Sequence, residues 1–501
     1  MKQWQNSLTK LLIYMAQLCV LLVLTWIIWR NLNHMAYVEF IGGEKVDILQ
    51  ATWSWLPFAA LSLALVFLAA NFKGRTVYIV CSLIYCLLFI FLSSQIDFGL
   101  RADADIVYQL SQTLFSENKA AVFSEDYFLK YPFQLGLMIY DGLLTRLWSS
   151  PKIIFFVNFL QILAINYLVA KLTLLVFGDR HGLESMTIML SFLFLPQLIY
   201  VHFGYGLIPG FFFLILGAYL LMKGIKASQF AWAYYLTACL AFSLSVIIRQ
   251  NFAIGIIAII IGLFVSLIGK NSWSKVFLLL SLIACLILPS RLLAFSYELI
   301  LDQDFPRGSP SNLWVAMGTD PQNLDRSAGW YNGFNYNTMS QVNNDYDQAK
   351  AIGQTKLKEN IAYFQENPAY FQDYFTLKID SQWTEPTFQS LWTTSRAAQT
   401  YHSKWGGSLH QESFTFANIY QACRGIYLLI LIASLAFICI HFRGKASFLP
   451  FMIYLVGGFL FHLVWEGKSQ YLYTYVFTLI PLAARLLNDI VYYIPGWNSQ
   501  D

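Results

Sequence analysis

Five short stretches of this chain gather residue types that can do chemistry. In Arg101-Ala-Asp-Ala-Asp-Ile-Val-Tyr108, two carboxylates follow an apolar run directly and stand at the expected start of a helix. Asp103 or Asp105 can act as a general base or hold a metal, while capping of the helix and a favourable dipole contact are the plainer use of Asp103. Lys130-Tyr-Pro-Phe-Gln-Leu-Gly136 offers Lys130, Tyr131 and Gln134 to headgroups or a polar ligand; an interface anchor is the plainer use of Lys130. Arg249-Gln-Asn251 separates two apolar runs, where a cation binds phosphate or anchors a helix end. Phe461-His-Leu-Val-Trp-Glu-Gly-Lys-Ser-Gln-Tyr471 crowds His462, Glu466 and Lys468 into one turn, with Tyr471 behind them, a cluster that is costly at a membrane edge unless it meets a polar partner. Lys378-Ile-Asp-Ser-Gln-Trp-Thr-Glu-Pro386 carries Lys378, Trp383 and Glu385 ahead of Trp392, and its aromatics either stack on a sugar ring or form the belt of a folded module. Ser-His-Asp, nucleotide-loop and zinc-ligand spacings are absent, and the seven histidines are scattered.

The elements that must position these residues are transmembrane helices. A chain of 501 residues that is 57% hydrophobic and 12% charged carries too much apolar surface for one water-soluble core. Apolar runs long enough to cross about 30 Å of hydrocarbon recur near 11–29, 53–71, 77–96, 153–177, 185–203, 208–222, 232–248, 252–269, 276–295, 424–440, 447–464 and 470–487. About twelve helices are therefore expected. No small-residue cleavage site follows the first run, so it reads as a retained helix with the amino terminus inside. The cysteines Cys19, Cys81, Cys86, Cys239, Cys285, Cys423 and Cys439 fall in or beside these runs, and no disulfide framework is implied.

Loop charge orients the chain. In the twelve-span arrangement Lys2, Lys10, Lys73, Arg75, Arg180, Lys223, Lys226, Lys270, Lys275, Arg443, Lys445 and Arg485 share one side, the cytoplasmic one, against Asp179, Glu184, Asp489 and Asp501. The net charge of +4 reflects this bias rather than a basic face, and nucleic acid is not suggested. The other side receives 30–52, 97–152, the short connection His202-Phe-Gly-Tyr-Gly206, and a polar segment from 296 to 420. The last is too long to be structureless and reads as a small module or cap, with a helix over 350–375 broken at Asn367-Pro368. Tyr131 to Trp148 is amphipathic and reads as helices at the interface. All five chemical stretches then face the non-cytoplasmic side, which suits a substrate with a lipid tail, an anionic phosphate and a polar sugar. Cytoplasmic loops are too short for a nucleotide-binding domain.

The ordered series Asp103-Ala-Asp-Ile-Val-Tyr108, Tyr131-Pro-Phe-Gln-Leu-Gly136, Trp314-Val-Ala-Met-Gly318, Gly329-Trp-Tyr-Asn-Gly333, Ser381-Gln-Trp-Thr-Glu-Pro386 and Trp465-Glu-Gly-Lys-Ser-Gln-Tyr471 resembles membrane glycosyltransferases of the GT-C fold. It resembles in particular the glycosyltransferase family 39-like proteins of Gram-positive bacteria, relatives of the protein O-mannosyltransferases and the lipid A aminoarabinose transferases. It covers about residues 77–488. The resemblance implies an all-α polytopic fold: two additional helices in 1–76, a membrane core in 77–295 with its catalytic outer loop at 97–152, an extracytoplasmic module in 296–420, and closing helices in 421–501.

It also implies transfer of a sugar from a polyprenyl-phosphate carrier to a cell-envelope acceptor, such as a wall polysaccharide, teichoic acid or glycolipid, at the outer face, with inversion. In such enzymes a carboxylate of the first outer loop is catalytic, which selects Asp103, with Asp105 in reserve; relatives carry adjacent Asp-Glu where this chain has Ala104 between its acids. Arg101, Lys130, Tyr131, Gln134, Arg249, Lys378, Trp383, Glu385, His462, Glu466, Lys468 and Tyr471 are the expected substrate-binding residues, with Lys468, Arg249 and Lys378 stabilising the leaving phosphate. No metal or cofactor is expected. A transporter or flippase of lipid-linked glycans, a glycan polymerase, and a membrane scaffold are the competing readings. Charge gathered at span ends rather than mid-span favours the enzyme over the transporter.

Overall fold

The computed structural model describes residues 2–40, 43–268, 272–441 and 446–493. Of the residues that set the orientation, Lys270, Arg443, Lys445 and Asp501 lie outside the described residues, as does the side chain of Lys2. Helix dominates. The first part runs α1 (Lys2–Asn33), a hairpin of β1 (His34–Val38) and β2 (Val46–Gln50), α2 (Leu56–Ala69), α3 (Gly74–Gln95), β3 (Ile96–Phe98), α4 (Ala102–Leu114), α5 (Asp126–Lys130) and α6 (Leu135–Leu147). There follow α7 (Lys152–Phe177), α8 (Leu183–Leu193), α9 (Pro196–Ile199), α10 (Leu207–Lys226), α11 (Ala231–Ile248), α12 (Ala253–Leu267) and α13 (Trp273–Leu301). The polar segment holds α14 (Asn312–Gly318), α15 (Phe334–Gln341), α16 (Tyr346–Glu366), α17 (Pro368–Trp383), α18 (Ser390–Ala397), β4 (Ala398–Tyr401) and α19 (Lys404–Ser408). The chain closes with α20 (Phe414–Ile440), α21 (Leu449–Val464), α22 (Tyr473–Phe477) and α23 (Ile480–Tyr493).

Among the described residues, ten helices are long and apolar enough to cross a membrane, and the chain is a multi-pass membrane protein. Two of the twelve expected positions differ in kind. The pair 183–193 and 196–202 bends by 55°, because Pro196 removes a backbone donor and clashes with the preceding turn. Leu56–Ala69 is apolar but has 14 residues, about 21 Å of helix, short of the hydrocarbon thickness.

The polar segment is not a separate body. Its buried Trp330 and Trp392 pack with Ala36, Val38 and Val46 of the hairpin, and β4 pairs antiparallel with β3 across 300 residues of chain. Its long helices start where their sequences dictate. Asp345 caps α16 by accepting from the Asp347 and Gln348 backbone N–H groups, and α17 begins at Pro368 directly after Asn367, so the expected break falls between two helices. The hairpin is tied in as well: Ala36 N–H donates to the Thr384 carbonyl at 3.2 Å and Val46 N–H to the Arg326 carbonyl at 2.9 Å. The first 76 residues thus fold onto the rest. Helix α6 with its flanking Trp148 exposes Leu143, Leu147 and Trp148, the apolar face an interfacial helix needs, whereas Gln134, just before it, and Asp141 turn inward, the latter buried with both oxygens unpartnered.

Candidate active site

The ends of α3, α10, α11 and α21 meet at one end of the bundle, and the segments leaving them carry charge. After α3 the backbone is extended at Arg101, φ −145°, then enters the left-handed region at Ala102, φ 46°, at a cost of roughly 1–2 kcal/mol for a residue with a Cβ. That turn sets Asp103 at the mouth of α4. Its side chain is open to solvent, yet protein crowds it closely enough that desolvation dominates and raises its pKa. Lys468, the Tyr205 hydroxyl and Arg101 pull in the opposite direction, and Glu44 adds to the rise. An accessible carboxylate, partly desolvated and faced by cations, is the geometry of a group that titrates on a ligand rather than on the fold.

Four cations gather at this end of the bundle, of which Lys468 and Arg101 act on Asp103 directly. Arg101 lies over the Trp392 ring, 4.5 Å from its centroid, with its Nε unpartnered. Arg249 donates to the Tyr205 carbonyl at 2.5 Å and lies against the Tyr205 and Tyr471 rings; it also borders a crevice lined by Asn251, Phe252, Tyr454 and Tyr475. Lys468 and Arg326 both contact Glu44, at 2.6 and 2.5 Å, and both lie near the Tyr331 ring. Glu44 is 4% exposed; burial works to raise its pKa, and Lys468 and Arg326 overcome that and hold it low. Tyr205 is the hub on the other flank: its hydroxyl accepts from Gln134 Nε2 at 2.6 Å, lies 3.1 Å from the Tyr127 hydroxyl, and faces Asp103. Tyr131 and Tyr331 feel the Asp103 charge as well.

Glu466 completes the cluster. It is buried with Oε1 unpartnered, Oε2 lies 3.5 Å from the Tyr471 hydroxyl, and His462, whose two ring nitrogens are also unpartnered, stacks on Tyr471. Burial pushes its pKa up to about 7 against the pull of Lys468. A folded pKa above the ordinary 4.5 gives stability that is complete below that value and is lost as pH rises through the folded one. Thermal unfolding in detergent should therefore show the parent losing ground to Glu466→Gln between pH 4.5 and 7, and a constant gap across that window would refute the assignment.

The expected site residues divide in three. Asp103, Arg101, Tyr131, Gln134, Arg249, His462, Glu466, Lys468 and Tyr471 converge as described. Lys130, Lys378, Trp383 and Glu385 turn into the fold and are occupied by protein partners. Lys130 is fully buried, paired with Asp126 at 2.5 Å and Ser340 at 2.8 Å, and lies over Tyr336. Lys378 ties the end of α14 to the end of α21 by donating to the Gly318 and Trp465 carbonyls at 2.5 and 2.8 Å, and burial pushes its pKa down to about 7. Trp383 packs on Phe459. Glu385 accepts from Thr387, from the Gln389 backbone and from Ser469, a wrap made possible by left-handed Phe388 and Gln389. Asp105 stands two residues from Asp103, about 200° around the helix, and its contact is Gln109 at 3.5 Å.

Glu44, Arg326, Tyr205 and Tyr331 are additions that sequence reasoning missed. Tyr205 had a signal, an aromatic hydroxyl between two glycines in a short connection, where Gly206 adopts φ 72°. Tyr331 sits inside the Gly329-Trp-Tyr-Asn-Gly333 motif. Glu44 and Arg326 carried none.

Fold and site together define a polytopic helical membrane protein whose span ends converge on a solvent-open carboxylate ringed by cations. No protein-family model matches the chain, and no curated protein matches it. Solved structures that resemble it are of the oligosaccharyltransferase of Archaeoglobus fulgidus: the apo form, with a TM-score of 0.46 and 14% identity over 84% of this chain and 50% of that one; the form tethered to an acceptor peptide, with 0.44 and 13% over 84% and 49%; and the complex with an inhibitory peptide and a dolichol-phosphate, with 0.43 and 13% over 84% of this chain. The chain spans about half the length of the proteins it resembles, and at these scores the likeness decides nothing about activity.

Proposed function

We propose that this protein is a GT-C-type glycosyltransferase that moves a sugar from a polyprenyl-phosphate carrier to a cell-envelope acceptor at the non-cytoplasmic face, with both termini cytoplasmic. The observation that carries the reading is Asp103: open to solvent, raised in pKa, and flanked by Lys468 and Arg101. A structural carboxylate would be saturated by its neighbours, as Glu385 is.

The chemistry is a single displacement. An acceptor hydroxyl attacks the anomeric carbon while Asp103 takes its proton; the bond from that carbon to the phosphate oxygen breaks, and the carrier leaves as a phosphate monoester with one more negative charge. Lys468, Arg249 and Arg326 meet that charge as it grows, each such contact worth about 10²–10³ in rate in comparable sites. Inversion at the anomeric carbon follows from a single step. Because side-chain cations supply the neutralisation, turnover should persist unchanged in excess EDTA; loss of turnover that added divalent cation restores would remove this part of the mechanism. The deciding experiment is reconstitution with a panel of polyprenyl-phosphate-linked hexoses and measurement of donor consumption. Binding of lipid-linked glycan without turnover of any donor would replace the transferase by a carrier or flippase, and consumption of diphosphate-linked oligosaccharides alone would make it a polymerase or ligase.

A further inference from the structure

The hairpin tip gives the cation cluster an anion of its own. Glu44 Oε2 contacts Lys468 Nζ at 2.6 Å and Arg326 Nη1 at 2.5 Å, and Oε1 accepts from Gln389 Nε2 at 2.9 Å. Arg101 lies within its field. One acidic group whose oxygens engage two cations and an amide repeats the contacts that the oxygens of a phosphate make. Lys468 and Arg326 are also the groups assigned above to the carrier phosphate, and two anions cannot hold the same ammonium and guanidinium faces at once.

We propose that Glu44 is a resident counter-anion of the site, displaced from Lys468 and Arg326 by the phosphate of a polyprenyl-phosphate ligand and returning to expel the spent carrier. The inference rests on reading the cluster as a phosphate site. An empty site without Glu44 would leave cations partly buried and uncompensated, which is strongly unfavourable. With Glu44 they are neutralised, and ligand binding becomes an exchange of anions.

The carboxylate is placed to yield. It sits on a turn, not in a helix; the preceding Gly43 has open space where a Cβ would be; and Lys45 beside it is exposed, occupied with Glu39 and Asp47 rather than with the cluster. The charges set the order of events. The donor is a phosphodiester with a single charge, matched by that of Glu44, whereas the departing monoester carries about −1.5 to −2 and would cling to the cations. A tethered carboxylate competes at high effective concentration and so favours release.

The test uses the full chain in nanodiscs at constant ionic strength, with a polyprenyl phosphate as ligand and the matching polyprenol as control. Glu44→Gln keeps the shape and removes the charge, and it should bind the phosphate more tightly than the parent, by roughly the 5- to 150-fold usual for coupled sites, with the polyprenol unchanged. Equal or weaker phosphate binding in the variant overturns the inference while leaving the phosphate site standing. If neither protein prefers the phosphate over the alcohol, the phosphate reading falls and the inference with it. Should Glu44→Gln fail to fold, Glu44→Asp, one methylene too short to reach both cations, decides in the same direction.

Discussion

Asp103→Asn should lose donor turnover by about 10²–10⁴-fold, the usual contribution of a positioned general base, while its thermal midpoint stays level or rises. The two halves of that expectation have one cause. The amide is nearly the same size and still hydrogen-bonds Tyr205, but it cannot take a proton from the acceptor hydroxyl. The fold, for its part, disfavours the ionised carboxylate: the pKa of Asp103 is raised, chiefly by desolvation. Its stabilising contribution is therefore complete below the ordinary value of 3.8 and lost as pH climbs through the folded one, so at neutral pH the charge is a cost that the substitution removes. The acid limb of kcat/KM should likewise lie above that ordinary value. Asp105→Asn should keep most of the activity. Donor consumption beside a melting curve checks both halves, and a variant that loses activity by unfolding, or an inactive Asp105→Asn beside an active Asp103→Asn, would reverse the assignment.

The largest stability effect should come from a pair outside the site. Arg30, at the end of α1, meets Asp380 of α17 in a bidentate contact, with Nε on Oδ1 at 2.6 Å and Nη2 on Oδ2. The two side chains are 11% and 5% exposed. Arg30→Met leaves Asp380 buried without its partner, which costs about 3–5 kcal/mol. Replacing both, as Arg30→Met with Asp380→Leu, removes the stranded charge and should recover most of that loss, because much of a buried pair's attraction only offsets its own desolvation. Denaturation of the single and double variants in one detergent measures the recovery. A double variant as weak as the single one would mean that the pair holds α1 and α17 together through geometry rather than through charge balance.

The sequence made the membrane spans and the chemical edges legible for the same reason: hydrocarbon tolerates neither an apolar shortfall nor an idle charge. Arg101, Asp103, Arg249, Glu466 and Lys468 stood out because each interrupts or ends an apolar run, and they do meet. What could not be read was the rotation of each side chain. Lys378 and Glu385 look as polar as Lys468 and Glu466, but their orientation is decided by how α17 packs between the 314–318 and 465–468 segments. There Gly318 has no room even for a Cβ, which would come 2.4 Å from the Trp465 backbone. The short Leu56–Ala69 helix and the Pro196 break show that apolar content locates a span better than it measures one. Glu44 and Arg326 were invisible because they are single residues in turns, 282 positions apart, and nothing periodic marks a contact of that range.

The hairpin anion has a consequence for biogenesis. Glu44 and Lys468 lie 424 residues apart in the chain, so at 5–20 residues per second roughly 20–85 s of translation separate them. Through that interval a carboxylate destined for burial has only the field of Arg101 and, late in synthesis, the contact with Arg326 to neutralise it. A chain truncated before residue 465 would retain most of its spans together with Asp103, Arg101, Arg249 and Arg326, but would lack Glu466 and Lys468.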